Sequence, residues 1–270
     1  MQYKPLASVI VMNHNRVQLL KKCLDSILQH TTDVDYELII VDACSTDSSR
    51  QFLIQHYSKI ATIIFEEKLH CYATSNNRAI GLSRGKYFAL MNNDCMATPE
   101  WLSKGIKAMD EDKQIGHLAH LVLRGDGYSI MSHGANLTAN GDTRVPLCNS
   151  NLSDPRWKIP GNYAYAGFGI YRRDVFNEIG GICEEYDNPP SYFQDTHYGL
   201  AVNILGLDVR YHPESVIIHY MDHTDREHFD GALVQGKGPF MRHWSKFLIE
   251  NNGYAPSFPK NDKIRPYMEA

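Results

Sequence analysis

Three short groups of polar residues, each directly after an apolar run, contain the side chains best suited to chemistry. They are Asn13-His14-Asn15, the group that begins at Asp42, and Asn92-Asn93-Asp94. Carboxylate and amide oxygens accept hydrogen bonds from nucleobases and ribose, and they are the hard ligands that Mg²⁺ and Mn²⁺ prefer. The pattern therefore predicts a site for a polar ligand and a divalent cation.

Asp42 directly follows the apolar run ELIIV, where a carboxylate can accept hydrogen bonds from a nucleobase N–H or a ribose hydroxyl. A turn-forming aspartate is the alternative interpretation of this position. The following Ser45, Thr46 and Asp47 are typical helix-start residues, and we interpret them as structural. From this group we assign only Asp42 to the site.

Asp94 closes another strongly apolar run and is flanked by Asn92 and Asn93. This set of oxygens suits a Mg²⁺ or Mn²⁺ ion that bridges the oxygens of a diphosphate. Taken alone, the three residues would be explained equally well by a turn with Asx hydrogen bonds. The prediction of a metal site therefore depends on the three polar groups meeting in space.

The elements predicted around these groups would bring them together. Strand patterns at 6–12, 36–41, 60–65 and 86–91 alternate with helical patterns at 16–30, 45–57 and 73–84. Such alternation is typical of a parallel sheet, in which the carboxyl ends of the strands share one edge and helix N-termini offer free N–H groups. We therefore expect a Rossmann-like α/β unit with all three groups at one edge.

The second half of the chain is less regular. Helices are predicted at 99–109, 173–179 and 192–205, strands at 115–123 and 163–171, and short strands split by Pro213 at 209–219. Residues 124–161 are rich in Gly, Asn, Asp, Ser and Pro, which indicates loops or short hairpins, and the polar segment after Tyr220 has no clear pattern. With no linker between them, the two halves are expected to share one continuous sheet.

Composition narrows the classes of partner. The 270 residues are 43% hydrophobic, which allows a sizeable core, and the formal net charge of -4 disfavours nucleic acid as a partner. No window approaches the ~20 apolar residues of a membrane span, and the N-terminal segment reads as a strand rather than a signal peptide. Six scattered cysteines without a CxxC pair predict reduced thiols. We expect a cytoplasmic protein, with at most peripheral contact at the inner face of the membrane.

The order of these motifs resembles glycosyltransferase family 2. The similar segments are 12–16 for the strand ending near T-Y-N-R, 41–47 for V-D-D-G-S-T-D, 77–87 for N-x-G-x-x-x-A-x-G-x-Y, 92–94 for D-x-D, 167–173 for the glycine-to-arginine segment, and 194–195 for the E-D pair before a helix. The likeness covers roughly residues 6 to 220. Their joint order is far more specific than any single motif.

The resemblance implies a GT-A fold, a mostly parallel mixed α/β sheet flanked by helices, and an inverting transfer of sugar from a nucleoside diphosphate to an acceptor hydroxyl. It identifies Asp195 as the general base, and Mn²⁺ or Mg²⁺ as the cofactor. The predicted nucleotide-binding residues are Asn13, Asn15, Asp42, Asn77 and Asn93, and the predicted metal ligands are Asp94, Asn92 and His219. His219 is also compatible with the alternative of a packed core histidine.

The likeness also divides the chain by role. Residues 1–95 would bind the nucleotide sugar, of the UDP, dTDP or GDP type. Residues 96–235 would bind the acceptor and complete catalysis in the same domain, and residues 236–270 would form a C-terminal tail. The implied acceptor is a glycan, a lipid-linked saccharide or a protein, in the synthesis of surface polysaccharide or glycoconjugates.

Three departures from the family pattern each remove a negative charge: Ala43, Asn92 and Gln194 replace acidic residues. Fewer charges near the metal would weaken its binding in the absence of nucleotide, whereas Gln194 leaves Asp195 as the single carboxylate of its pair and favours its ionised form. A non-catalytic protein that retains the fold and a nucleotide or carbohydrate pocket is the alternative. A sugar-nucleotide pyrophosphorylase is disfavoured, because residues 13–16 lack the Gly-rich basic loop that those enzymes carry.

Overall fold

The computed structural model describes residues 4–68, 72–186, 192–220 and 226–256. These residues contain twelve strands, of which ten form one mixed sheet. The strands are β1 (Ala7–Asn13), β2 (Tyr36–Asp42), β3 (Thr62–Phe65), β4 (Tyr87–Asn92), β5 (Cys95–Ala97), β6 (Ile115–Arg124), β7 (Ile130–Ser132), β8 (Asn136–Leu137), β9 (Thr143–Arg144), β10 (Gly161–Tyr163), β11 (Gly169–Arg172) and β12 (Asp208–His219). The helices are α1 (Val17–His30), α2 (Ser49–His56), α3 (Tyr72–Leu82), α4 (Trp101–Glu111), α5 (Arg173–Ile179), α6 (Gln194–Ile204) and α7 (Arg226–Glu250). Outside the sheet, β8 and β9 pair as a hairpin.

The strand order is β10-β12-β6-β11-β4-β1-β2-β3, with β5 beside β12 and β7 beside β6. Strands β1 to β4 are mutually parallel where they pair, and β12 runs parallel to β6. Strand β11 is antiparallel to both β4 and β6 and therefore joins the two halves of the chain. The expectation of one mostly parallel sheet shared by both halves is confirmed.

Helix α1 illustrates why the first half folds as predicted. Its stripe of Leu20, Cys23, Leu24 and Ile27 is fully buried against one face of the sheet, as the period of an amphipathic helix requires. Residues of β1 alternate between the two hydrophobic cores, Val9 and Val11 on one face and Ile10 on the other. Helices on both faces thus explain why the strands read as continuous apolar runs.

Gly85 allows β4 to lie close to β1. A Cβ atom at this position would stand 2.5 Å from the carbonyl carbon of Ala7 and 2.6 Å from the amide nitrogen of Ser8. The Gly85 N–H donates to Ser8 Oγ at 3.0 Å, which fixes this approach. A glycine is therefore required by backbone contact rather than by a turn.

Two strand predictions in the second half are wrong. The run 163–171 is divided between β10, which pairs with β12, and β11, because the backbone of Ala164 and Tyr165 leaves the sheet to bond Ala135. Conversely, Pro213 does not split the last strand: β12 is continuous, and its register with β6 shifts between Tyr211 and Val216. An irregularity in the pairing accommodates the proline, which has no N–H to donate.

The segment after Tyr220, for which the sequence pattern allowed no assignment, contains helix α7. Phe240, Trp244 and Leu248 recur at intervals of four residues on this helix and are buried with Leu200 of α6. Residue 236, the predicted start of the C-terminal tail, lies inside α7. Among the residues that the structure describes, no helix combines the length and the apolar character needed to cross a lipid bilayer.

Candidate active site

The carboxyl ends of β1, β2 and β4 meet at one edge of the sheet, as predicted. Asn13 Nδ2 donates to Asp42 Oδ2 at 2.9 Å, and Asn93 Nδ2 donates to Asn13 Oδ1 at 2.8 Å. Asn93 Nδ2 also donates to the backbone oxygen of Asn15 at 3.0 Å. Four of the five predicted nucleotide-binding residues therefore belong to one hydrogen-bonded network, which we call the donor edge.

Asp42 is completely buried at the centre of this donor edge. Its Oδ2 accepts the bond from Asn13, while Oδ1 accepts from the Ser45 N–H at 3.1 Å and from Arg50 Nε at 2.9 Å. Both carboxylate oxygens are thus satisfied by the protein itself. In this arrangement Asp42 orders the loop and positions Arg50, and these donors occupy three of the roughly four acceptor positions of its carboxylate.

The side chain of Asn15 organises the neighbouring loop. Its Oδ1 accepts from the N–H groups of Thr46 at 2.8 Å and Asp47 at 3.2 Å, and its own backbone lies in the left-handed region with φ 57°. Asp47 Oδ2 accepts from the N–H of Val17, in the first turn of α1. The predicted helix start at Ser45 is therefore displaced to Ser49, because residues 45–47 bridge two helix N-termini instead of starting one.

Asn77, the fifth predicted nucleotide ligand, has other partners. Its Nδ2 donates to the carbonyl oxygen of Ile182 at 2.8 Å and to Glu184 Oε1 at 2.9 Å, and its Oδ1 accepts from the Ile182 N–H at 2.9 Å. These bonds connect α3 to the segment that precedes α6. The contacts favour a structural role for Asn77, and its part in nucleotide binding stays a prediction.

Asp94, Cys95 and His219 form a compact group whose potential ligand atoms lie within 4.8 Å of one another. His219 Nε2 donates to Asp94 Oδ1 at 3.0 Å, since β5 pairs with β12 and places His219 opposite Cys95. The buried Nδ1 of His219 has no hydrogen-bond partner among the described residues, and the ring packs edge-on against Phe168 at 4.9 Å. We call Asp94 and His219 the metal pair.

The chemistry of this pair fits a divalent cation. A carboxylate and an imidazole together suit Mn²⁺, and the carboxylate suits Mg²⁺. Burial, with the charge of Asp94, raises the pKa of the Cys95 thiol, so that sulfur remains protonated and is a poor ligand. Asn92 is half-buried and its carbonyl oxygen accepts from Cys23 Sγ at 3.5 Å, but no described contact joins its side chain to the pair.

Asp195, the predicted base, lies in the first turn of α6, where a carboxylate is stabilised by the helix dipole. Burial raises the pKa of its carboxyl, and the hydrogen bonds from Thr196 oppose that rise. Its Oδ1 accepts from the Thr196 N–H at 2.7 Å and from Thr196 Oγ1 at 3.2 Å. The preceding Gln194 is buried, and its Nε2 has no partner among the described residues.

Tyr72, at the start of α3, was not anticipated from the sequence. Burial raises the pKa of its phenol, and the charge of Asp195 adds to that effect, so the phenol stays neutral. In the sequence, Tyr72 reads only as an aromatic residue at a helix start, and no motif signals a role.

Solved structures with the same architecture define the class of fold. The chain aligns with GalNAc-T7 in complex with UDP, GalNAc and Mn²⁺ at a TM-score of 0.66 and 12% identity, over 82% of this chain and 44% of that one. It aligns with the mannosyltransferase PcManGT of Pyrobaculum calidifontis, in complex with GDP-Man and Mn²⁺, at a TM-score of 0.64 and 17% identity, over 99% and 69% of the two chains. The fold is that of the GT-A glycosyltransferases.

The family model of Glycosyl transferase family 2 matches residues 8–180, and the chain belongs to this family. The uncharacterized protein y4gI of Sinorhizobium fredii is 26% identical over 98% of this chain and 30% of its own length. TuaG of Bacillus subtilis, described as a putative teichuronic acid biosynthesis glycosyltransferase, is 32% identical over 40% of this chain and 44% of its own. The chain thus spans less than half of the length of either relative.

Proposed function

We propose that this chain is an inverting glycosyltransferase that moves a sugar from a nucleoside diphosphate onto an acceptor hydroxyl. The observation that carries the proposal is the convergence of the donor edge, the metal pair and Asp195: Asn93 directly precedes Asp94, and Phe168, which packs on His219, directly follows Gly167 beside Asp195 Oδ2. A donor site, a cation site and a carboxylate base are the parts that glycosyl transfer requires. Membership of family 2 and the GT-A fold support the same reaction.

Asp195 would act on the acceptor. A hydroxyl is a poor nucleophile, and a carboxylate that takes its proton as the new bond forms contributes about 10²–10⁴-fold to the rate. Burial raises the pKa of Asp195, which brings its basicity closer to the operating pH and makes it a stronger base in its ionised form. Attack in line with the departing nucleotide, assisted by this one base, would invert the anomeric carbon.

The metal pair would act on the leaving group. Asp94 and His219 would hold Mn²⁺ or Mg²⁺, which as a Lewis acid offsets the negative charge that develops on the nucleoside diphosphate. To ligate through Nε2, His219 would give up its present bond to Asp94, and its proton would have to be carried on the buried Nδ1 instead. Asn92, with its neutral side chain, would add at most a weak oxygen ligand.

The substrates belong to the same proposal. A donor of the UDP, dTDP or GDP type would be bound at the donor edge, where Asn13, Asn15, Asp42 and Asn93 are held in one network. The description of TuaG supports an acceptor in polysaccharide synthesis, such as a glycan or a lipid-linked saccharide. Work on such an acceptor would place the protein in the cytoplasm or at the inner face of the membrane.

Calorimetric titration with UDP, GDP and dTDP, each in Mn²⁺ and in EDTA, tests the donor and the metal together. We expect one nucleotide to bind in a metal-dependent way, and its sugar derivatives to release that nucleotide when candidate acceptors are added. Binding of a nucleotide without any transfer from its sugars would favour the alternative of a non-catalytic binding protein. The absence of binding to all three nucleotides would contradict the proposal.

A further inference from the structure

Helix α6 begins after a residue with an unfavourable backbone conformation. Phe193, which directly precedes Gln194 and Asp195, has φ 77° and ψ 3°, in the left-handed region that bulky residues rarely adopt. Its carbonyl oxygen accepts from the His197 N–H at 2.8 Å and so closes the first turn of the helix. Such a backbone conformation persists only where the surrounding structure holds it in place.

The ring of Phe193 is held by helix α7. It stacks on the ring of Phe240 with the centroids 4.7 Å apart and the planes inclined by 22°, and both side chains are buried. One turn further along α6 and α7, Trp244 Nε1 donates to His197 Nδ1 at 3.2 Å. Two contacts, spaced by four residues on each side, therefore dock α7 on the start of α6.

Helix α7 is also held by the hairpin of β8 and β9. Gly141, between these two strands, has φ 74°, and a Cβ atom there would stand 2.5 Å from Met241 Sδ and 3.3 Å from Phe240 Cε1. Lys237 of α7 forms an ion pair with Asp142 of the same hairpin. The ring of Phe240 is therefore enclosed by the hairpin as well as by the ring on which it stacks, and its position is fixed.

Asp195 lies on the opposite face of α6 from the contacts with α7. It is two residues from Phe193 and two from His197, and two residues correspond to about 200° of helical rotation. Its Oδ2 lies beside Gly167, where an added Cβ atom would stand 3.2 Å away, and its Oδ1 accepts from the Thr196 N–H. The docking of α7 on one face of α6 therefore determines where the carboxylate on the other face lies.

We infer that Phe240 is a positioning residue for the base: its ring keeps Phe193 in the left-handed conformation and thereby sets the place of Asp195. The inference rests on the proposed function and deepens it, because it assigns a part in the reaction to a helix that lies in the predicted C-terminal tail. Phe240 acts through the backbone of Phe193 rather than on a substrate.

The test combines Phe240→Leu with Phe193→Gly. Phe240→Leu removes the stacked ring and should lower kcat by about 10- to 100-fold through displacement of the base, with KM for the nucleotide sugar unchanged. Glycine adopts the left-handed conformation without strain, so a protein with Phe193→Gly no longer needs the ring that holds this residue. Phe240→Leu should therefore lower kcat much less in the Phe193→Gly background. A role in stability alone predicts no such rescue.

Phe193→Ala and Phe193→Gly form a matched pair that keeps the inference testable if Phe240→Leu does not fold. Both variants lose the stacked ring, but only alanine retains the strain of the left-handed conformation, so kcat should fall further in Phe193→Ala. Leu248→Ala is the control for a loss of packing. Leu248 is a fully buried residue about two turns beyond Phe240 on α7, and its truncation should lower stability to urea without changing kcat.

The amide of Thr196 gives a readout that needs no transfer. Its N–H donates to Asp195 Oδ1 at 2.7 Å, so its NMR shift reports the position of the carboxylate. Phe240→Leu and Phe193→Ala should move this shift, whereas Leu248→Ala should not. An unchanged shift in Phe240→Leu, or an equally large loss of kcat in the Phe193→Gly background, would overturn the inference. If the shift moves and the wild-type protein transfers no sugar to any acceptor, the proposed function fails while the link from α7 to Asp195 stands.

Discussion

The donor edge and the region around Asp195 differ in how their polar groups are satisfied. At the donor edge, Asn13, Asp42 and Asn93 bond one another and the loop beside them. In the other region, taken together with the metal pair, His219 Nδ1 and Gln194 Nε2 are buried without partners among the described residues. Unsatisfied buried groups cost free energy, and a bound ligand or ion can satisfy them. The polar groups of the donor edge are therefore held in place by the protein itself, whereas His219 and Gln194 keep atoms that a ligand could bond.

The largest expected effect is on the base. Asp195→Asn should lower the rate of transfer by about 10²–10⁴-fold, because the amide cannot take the proton of the acceptor. Nucleotide affinity, measured by calorimetry on the same variant, should be retained since the donor edge is unchanged. Turnover at the wild-type rate would remove Asp195 from the mechanism and leave the region around α6 as a structural element.

The next effect separates the metal pair from the donor edge. Asp94→Ala should weaken nucleotide binding in Mn²⁺ by more than about tenfold, because the carboxylate ligand of the ion is lost. In EDTA, the variant and the wild type should bind the nucleotide equally weakly. Identical affinities in Mn²⁺ and EDTA for both proteins would show that the pair holds no ion.

A smaller effect tests the scaffold itself. Asp42→Ala should reduce the free energy of unfolding by about 1–3 kcal/mol without any nucleotide, because Asn13 and Arg50 lose their acceptor. Asp42→Asn keeps one oxygen acceptor and should cost less. Urea denaturation measures both values. If Asp42→Ala unfolds at the wild-type midpoint and only loses nucleotide affinity, Asp42 is a direct ligand and the scaffold interpretation is wrong.

A last prediction concerns pH and the buried histidines of β6, which lie in neither of these two regions. His117 and His120 of β6 are fully buried, and burial lowers the pKa of each to about 3. The unfolded chain binds these protons near pH 6.5 and the folded chain does not, so stability present above that pH is lost as pH falls towards 3. Each histidine contributes about 1.4 kcal/mol per pH unit to the loss.

His117→Phe should make this acid-side slope shallower by that amount, since the ring stacks on Tyr171 at 4.1 Å and both of its nitrogens lack partners among the described residues. Urea denaturation between pH 4 and 7 measures the slope. The exposed His56→Gln variant is the control and should leave the slope unchanged. An unchanged slope in His117→Phe would mean that the buried ring already binds its proton in the folded protein.

The sequence by itself determined the first half of the fold and the meeting of the polar groups. Apolar runs alternate with amphipathic helices, such as the helix whose buried stripe extends from Leu20 to Ile27. This alternation indicates a parallel sheet that is covered by helices on both faces. Once that sheet exists, the residues that follow β1, β2 and β4 must share an edge. The family motifs point to Asp94, His219 and Asp195, and each of these residues lies after a strand, at the end of a strand or at the start of a helix.

Only the tertiary structure decided what depends on contacts between distant segments. Pro213 is accommodated because β6 supports β12 on both sides of the irregularity, and the course of residues 163–171 depends on the bonds of Tyr165 to Ala135. The same holds for the bonds of Asp42 with Asn13 and Arg50 and for the position of Asp195 Oδ2 beside Gly167. The local sequence pattern indicates which side chains of a helix or strand are buried, because burial follows the period of that element. Which polar group is satisfied, and which remains available for chemistry, depends on partners that the fold brings together from distant segments.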